Sequence, residues 1–374
     1  MKKELNILLS RPSSYYKNSI IKNSPKFNFN KPVVLFGAAK MGLIYIELCK
    51  KNKIKLIAFC DNDNRKNNTY LNNVLIVNPL TLRKYFNKDI QIIITSLYDE
   101  EIRKQLYKLG FRKVWNHTYF STLYARNFSI LSWTNYINDI TNNKDNIIKC
   151  FNYLKDTISK KTFVEILKYR LTLNRKHINK VANISTNIYF DKNIINLTKD
   201  EVFLDGGAYN GDTINPFIKQ TKGMFKKVFC FEPDFESYSI LKRHTEKEIK
   251  DARIKVLPYG LGKKEETVFF TNEGNLQSKI IKSGKVEIKL YPVDKYIKKK
   301  FTLIKLDIEG YEKEALLGAK KTIKVHKPKL AICIYHYLKD LWEIPLLIKR
   351  LNPEYNIFIR HYNEFLFDTV CYAV

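Results

Sequence analysis

The stretch Val202-Phe203-Leu204-Asp205-Gly206-Gly207-Ala208-Tyr209-Asn210-Gly211-Asp212-Thr213 decides the fold of the larger part of this chain. An apolar strand that ends in an acid and runs into a glycine turn opens an α/β sheet of the kind that binds ligands at the carboxyl ends of its strands. Gly207 and Gly211 let the backbone come close to such a ligand. Strand candidates then recur at 202–205, 228–232, 254–257, 303–307, 330–335, 355–360 and 369–373, with helical spacing after the first, second, fourth and fifth. The sixth and seventh are separated only by a short stretch around Asn363 and Glu364, too short for a parallel crossover, so these two strands are predicted to be antiparallel. The expected class is α/β, with a seven-stranded Rossmann-like sheet and a reversed last strand over residues 196–374.

The chemistry is sought at the strand ends. The second strand ends in Phe231-Glu232-Pro233-Asp234, and Glu232 lies 21 residues beyond Gly211, the spacing of an acid that accepts hydrogen bonds from ribose hydroxyls. An exposed strand-end acid is the plain alternative. The fourth ends in Lys305-Leu306-Asp307-Ile308-Glu309-Gly310-Tyr311-Glu312, where period two sets Lys305, Asp307 and Glu309 on one side. Buried charges are costly unless they are paired or bind something, so a structural Lys–Asp pair competes with a catalytic group. The fifth ends in Ile334-Tyr335-His336-Tyr337 and opens on the same crevice, so His336 is expected to face Asp307. A neutral imidazole there takes a proton from a hydroxyl, with Asp307 or Glu309 orienting it; a structural histidine is the alternative. Lys305, Asp307, Glu309 and His336 are thus the catalytic candidates. Tyr311, Arg360 and His361 are candidates for substrate contact, Arg360 and His361 toward an anion.

The mostly parallel sheet with one reversed strand resembles the S-adenosylmethionine-dependent methyltransferases, and four ordered motifs are similar to the FkbM family of these enzymes. They are Phe203-Leu204-Asp205-Gly206-Gly207-Ala208 with Gly211 and Thr213, then Phe231-Glu232-Pro233, then Gly260-Leu261-Gly262, then Lys305 to Glu312. The segment Ile334 to Pro345 also resembles a subgroup of the family. The resemblance covers about residues 196–374. It implies S-adenosylmethionine as cofactor, held by Asp205, Gly207, Tyr209, Gly211, Thr213, Glu232, Pro233 and Gly260, with Asp205 near the amino group of the methionine moiety. Tyr209 departs from the family, where many members carry Asn. The resemblance further implies transfer to a hydroxyl oxygen of a sugar or nucleotide sugar, in bacterial capsule or other surface-polysaccharide biosynthesis. In-line displacement at the sulfonium methyl depends on positioning and requires no metal. Asp307 with Glu309 nevertheless offers hard oxygen ligands to a divalent ion.

A second, smaller α/β pattern precedes this region. The strand Pro32 to Phe36 runs into Gly37-Ala38-Ala39-Lys40-Met41-Gly42, helical spacing follows over 43–51, and a strand over 55–60 ends in Asp61-Asn62-Asp63. A third strand at 90–95 leads into a helix with Ile102, Leu106 and Leu109 on one face and Gly110 at its end. Ala39 replaces the middle glycine that admits a pyrophosphate, while Asp61 follows Gly42 by 19 residues, as a ribose acid does. Residues 31–120 resemble the Rossmann-like domains of nucleotide-sugar-processing proteins. Gly37, Gly42 and Asp61 are candidates for a nucleotide-linked sugar; an oligomerising role and a purely structural domain are the alternatives. Residues 1–30 read as an irregular lead-in and 121–195 as a helical connector.

Composition bounds the rest. The chain has 374 residues, 66 Lys and Arg against 37 Asp and Glu, and a net charge of +29. The basic residues are dispersed, with no run longer than Lys298-Lys299-Lys300, which favours solvated faces over a nucleic-acid site and leaves only weak contact with an anionic membrane surface open. Amino-directed nucleic-acid methyltransferases usually carry an Asn/Asp-Pro-Pro-aromatic motif where this chain has Asp307-Ile308-Glu309-Gly310. The six cysteines form no C-x-x-C pair and read as buried thiols. No apolar run approaches the roughly 20 residues that span a bilayer, and no secretory signal is read at the start, so a cytoplasmic protein is expected. Two other function classes stay open: a nicotinamide-dependent oxidoreductase, for which no hydride site is identified, and a noncatalytic nucleotide-binding assembly protein.

Overall fold

The polypeptide divides into two compact units, one of Ile7–Asn142 with Arg170–Leu173, the other of Met1–Asn6, Asn143–Tyr169 and Asn174–Val374. The computed structural model describes residues 1–22, 25–117, 120, 133–184, 188–246, 252–270, 280–281 and 286–374.

The chain opens with helices α1 (Lys2–Ser10) and α2 (Ser13–Lys22), where an irregular lead-in was expected. Leu5, Leu8 and Leu9 of the first and Tyr16 and Ile20 of the second are buried. Each apolar face is barely longer than one turn, so the helical period has no room to declare itself.

The six-stranded sheet of the N-terminal unit comes from β1 (Val33–Phe36), β2 (Leu56–Cys60), β3 (Tyr70–Leu71), β4 (Val74–Val77), β5 (Gln91–Ile94) and β6 (Val114–Asn116), in the order β3-β4-β2-β1-β5-β6. All neighbours pair in parallel except β3 with β4. The unbroken apolar runs suit strands covered on both faces. Helices α3 (Lys40–Lys51), α4 (Pro79–Tyr85) and α5 (Asp99–Lys108) follow β1, β4 and β5. Asn78 caps α4 by accepting from the Thr81 N–H, with Pro79 in the first turn; Asp99, Glu100 and Glu101 oppose the dipole of α5.

Between the sheets come α6 (Trp133–Asn142), α7 (Lys144–Tyr153), α8 (Thr157–Thr172) and α9 (Lys176–Asn179). Residues 121–132 and 185–187 of the expected connector lie outside the described residues. The rest is helical but is no separate body. Its second half belongs to the C-terminal unit, where the Ser159 Oγ accepts from the backbone N–H of Ile359 at 2.9 Å and from Arg360 at 2.9 Å.

The seven strands of the C-terminal sheet lie where the sequence placed them. They interleave with helices α10 (Ile214–Gln220), α11 (Phe235–His244), α12 (Glu312–Leu317), α13 (Lys320–His326) and α14 (Asp340–Leu351). The sheet strands are β7 (Val202–Gly206), β8 (Lys227–Phe231), β9 (Ile254–Leu257), β14 (Leu303–Leu306), β15 (Lys329–Cys333), β16 (Ile357–His361) and β17 (Thr369–Ala373). Their order is β16-β17-β15-β14-β7-β8-β9, with β17 antiparallel to both β15 and β16. An unforeseen four-stranded sheet is built from β10 (Gly260–Leu261), β11 (Glu266–Phe270), β12 (Ile280–Ile281) and β13 (Val286–Tyr291). Phe190, Phe203, Phe217 and Phe225 pack together under β7, with the Phe203 and Phe217 rings 4.8 Å apart. Burying each such ring contributes about 1.5–3 kcal/mol. All six cysteines are buried and free, and no helix among the described residues is long and apolar enough to cross a membrane.

Candidate functional site

The site is built at the carboxyl edge of the seven-stranded sheet, where β7, β8, β14 and β15 hand over to loops. Asp205 and Lys305 stand side by side on the paired strands β7 and β14. The Asp205 carboxylate is 0% exposed and lies 2.9 Å from the Lys305 ammonium, which also donates to the Gly207 carbonyl at 2.6 Å. Burial pushes the Asp205 carboxyl up to about 6, against the pull of Lys305. Burial works against the Lys305 charge too, but Asp205 and Asp307 outweigh it and hold the ammonium above its ordinary range. Asp205 is thus paired with Lys305 beneath the turn, and Lys305, 1% exposed, holds both the carboxylate and the turn carbonyl.

That pair fixes the turn itself. A Cβ on Gly207 would lie 1.8 Å from the Asp307 carbonyl, and its φ is +72°, so only glycine lets β7 and β14 leave the sheet this close together. Tyr209 holds a left-handed backbone at φ +43°, a strain of about 1–3 kcal/mol of the sort that clusters at functional sites. Its N–H donates to Glu232 Oε2 at 2.8 Å, and the Asp234 N–H donates to Oε1 at 2.9 Å. Burial raises the Glu232 carboxyl above its usual value although both backbone donors oppose it. Each oxygen accepts one bond and keeps another lone pair, which fits a pair of ribose hydroxyls. Gly211 closes the turn, its N–H on the Ala208 carbonyl at 2.9 Å, Thr213 is buried just before α10, and Pro233 is half-buried. Gly260 is accounted for by packing: a Cβ there would meet Leu290 at 2.5 Å.

Beside this turn the ends of β14 and β15 gather ionisable groups. Asp307 accepts from the Tyr189 hydroxyl at 2.7 Å and the Tyr335 hydroxyl at 3.0 Å. Burial pushes its carboxyl up, but Lys305, His336 and the hydroxyl of Tyr189 outweigh that and hold it below the usual range, ionised at neutral pH. The His336 ring stands 3.5 Å from Asp307 and 3.5 Å from Glu309 through Nε2, and 3.0 Å from Glu312 through Nδ1. Burial pushes the imidazole down, yet the three carboxylates prevail and push it up to about 9. The carboxylates thus favour the imidazolium over the neutral base expected from the sequence. Glu309 is the exposed member of the group. Its backbone is left-handed at φ +53°, and Gly310 follows it beneath the Tyr337 ring. Tyr311 is half-buried at the start of α12.

Arg360 and His361, the expected anion contacts, are engaged by groups of the protein. Arg360 pairs with Asp156 at 2.6 Å and with Asp191 at 3.6 Å, and His361, buried, sits 2.8 Å from the Thr369 hydroxyl. Sequence reasoning passed over Tyr189, which lies outside every motif, and the role of Glu312, whose carboxylate accepts from the Ile308 N–H at 2.8 Å. The four-residue step from Ile308 to Glu312 is the signal that could have found the latter.

In the N-terminal unit, Asp61 accepts from the Ala38 N–H at 2.9 Å, the Asp63 N–H at 2.9 Å and the Lys66 ammonium at 2.9 Å. Burial raises its carboxyl, but these donors outweigh it and hold it below the usual range. A Cβ on Gly42 would lie 2.5 Å from the Gly37 carbonyl, and one on Gly37 2.8 Å from that of Thr95, so both glycines serve close backbone packing.

Residues 205–363 match the family model described as the methyltransferase FkbM domain, and residues 29–114 match one described as C2185-like, N-terminal. A crystal structure of methyltransferase FkbM from Methylobacillus flagellatus KT aligns over 100% of this chain and 97% of its own, with 24% identity and a TM-score of 0.77. A putative rRNA methylase from Clostridium thermocellum aligns with 54% of this chain and 94% of its own at 10% identity and a TM-score of 0.32. Fibrillarin from Aeropyrum pernix aligns with 50% and 76%, at 10% identity and a TM-score of 0.32. No curated protein sequence matches. The fold is thus shared over the whole length with an FkbM methyltransferase, and residues 205–363 of this chain match the FkbM methyltransferase domain model.

Proposed function

We propose that the protein transfers the methyl group of S-adenosylmethionine to a hydroxyl oxygen of a sugar, presented as a nucleotide sugar or within a surface glycan. The observation that carries the reading is the group of Asp307, Glu309, Tyr189, Tyr335 and His336 beside the Gly207 turn. Closely spaced hydrogen-bond acceptors and hydroxyls suit a polyhydroxylated acceptor better than an apolar or planar one. When bound, the cofactor supplies an activated methyl group. Glu232 and the backbone from Gly207 to Gly211 hold it by its polar groups. Asp307, ionised and oriented by two tyrosine hydroxyls, accepts the proton that the attacking hydroxyl loses, and the imidazolium of His336 keeps that carboxylate charged. Alignment of the acceptor oxygen with the methyl carbon supplies most of the rate, as in any displacement on a reactive donor.

The test is incubation with S-adenosylmethionine labelled in its methyl group and a panel of nucleotide sugars, with a catechol and an RNA oligonucleotide as competing acceptors. A methyl ether on a sugar, formed at a rate at least about 100-fold lower in Asp307→Asn, supports the reading. Label found on the catechol or on a base nitrogen, with none on sugar, overturns it.

A further inference from the structure

We propose that Asp307, Glu312 and His336 form a binding site for a divalent cation of the manganese type. Each of the three offers one ligand atom, and these atoms lie within 4.8 Å of one another. Ligands at about 2.0–2.3 Å from one ion stand at most about 4.5 Å apart, so small side-chain adjustments close the set.

A second observation separates this cluster from an ordinary group of acids. Glu312 is 0% exposed, and while its Oε1 accepts from Ile308, its Oε2 has no hydrogen-bond partner among the described residues. The His336 side chain is 9% exposed, and neither ring nitrogen is aligned as a hydrogen bond to the carboxylates at 3.0 and 3.5 Å. Buried polar atoms are nearly always partnered, so a buried imidazole with no aligned partner, set among these carboxylates, together with the unpartnered Oε2 of Glu312, calls for a group that takes lone pairs.

The donor chemistry narrows the ion. Two carboxylates balance a charge of 2+, the imidazole ligates once the ion displaces the proton that His336 carries in its absence, and two hard oxygens with one borderline nitrogen suit manganese better than a thiolate-seeking metal. The Tyr189 and Tyr335 hydroxyls fix the Asp307 carboxylate from behind, the support that ligating carboxylates ordinarily have. Three protein ligands leave positions open on a six-coordinate ion. Two adjacent hydroxyls of an acceptor fill them, so the use of the ion rests on the sugar-acceptor reading above, but its binding does not.

Chelator-treated full-length protein is titrated with manganese chloride alone, followed by the electron paramagnetic resonance signal of free Mn2+. One ion bound per chain, at least about tenfold more weakly in Glu312→Gln and in His336→Gln, is expected. Thermal melting of both variants establishes that each is folded, and Gln at 312 retains the acceptor for Ile308. Absence of saturable binding to the wild type, or binding unchanged in both folded variants, overturns the site. A chain that binds one Mn2+ and methylates no sugar keeps the cation site and loses the acceptor reading; one that methylates sugar and binds no ion loses the cation site alone.

Discussion

The two units solve the same local problem with the same device and diverge in what they do with it. In each, a first strand enters a glycine turn and a strand-end acid accepts two backbone N–H groups: Asp61 from Ala38 and Asp63, Glu232 from Tyr209 and Asp234. Asp61 also holds an ammonium, that of Lys66, and its carboxyl is pulled down. Glu232 has no cation at hydrogen-bond distance among the described residues, and its carboxyl is pushed up by burial. The neighbouring strand ends differ more. After β5 the chain carries Thr95, whose hydroxyl donates to the carbonyls of Phe36 and Gly37, whereas after β14 it carries Asp307, Glu309 and Glu312 facing His336. A nucleotide-type turn is thus a scaffold feature, and chemistry depends on what the adjacent strand brings beside it.

The largest effect that separates the turns is expected from their acids. Asp205→Asn removes the nearer of the two carboxylates that hold the buried Lys305 ammonium and is expected to cost about 3 kcal/mol of stability in urea unfolding. Asp61→Asn keeps an acceptor for Ala38 and loses only a partly exposed pair, an effect of about 1 kcal/mol. Equal losses would break the contrast.

Asp307→Asn is expected to lower methyl transfer at least about 100-fold with little change in donor binding. Thr95→Val, at the matching strand end of the other unit, is expected to leave kcat within about twofold, and a comparable loss there would show that both edges take part.

A smaller effect follows from pH. The folded value of His336 is raised to about 9 from an ordinary 6.5, so its contribution to stability is complete below about 6.5 and lost as pH rises through 9. Thermal melting in chelator should show this alkaline decline in the wild type and a shallower one in His336→Gln. The smallest effect is acidic. Asp61 is lowered from an ordinary 3.8, so its contribution is present above that value and disappears as pH falls below it; Asp61→Asn should flatten only that limb.

In the C-terminal sheet apolar runs end in turn residues, which is why all seven of its strands and the reversal of β17 could be read in advance; β4, an equally apolar run before Asn78-Pro79, and the short β3 and β6 were not read. Helices α1 and α2 were not, because one apolar turn carries no period. The small sheet from β10 to β13 was missed because its partners are brought together by pairing rather than by any repeat. At the site, Asp307, Glu309 and His336 were legible from period two and strand order. Their states were not, since the charge on His336 is set by Glu312 and Asp307 across space. Arg360 looked free for an anion because Asp156, some 200 positions away, leaves no mark on its neighbourhood in sequence.

The most direct measurement is calorimetric titration of the purified protein with S-adenosylmethionine, S-adenosylhomocysteine and NADH, repeated with Glu232→Ala and Asp61→Ala. Saturable binding of the two sulfur ligands, at least about tenfold weaker in Glu232→Ala and unchanged in Asp61→Ala, is the expected result. Binding of NADH alone, or loss of S-adenosylmethionine binding in Asp61→Ala with none in Glu232→Ala, would contradict the placing of the cofactor at the C-terminal turn.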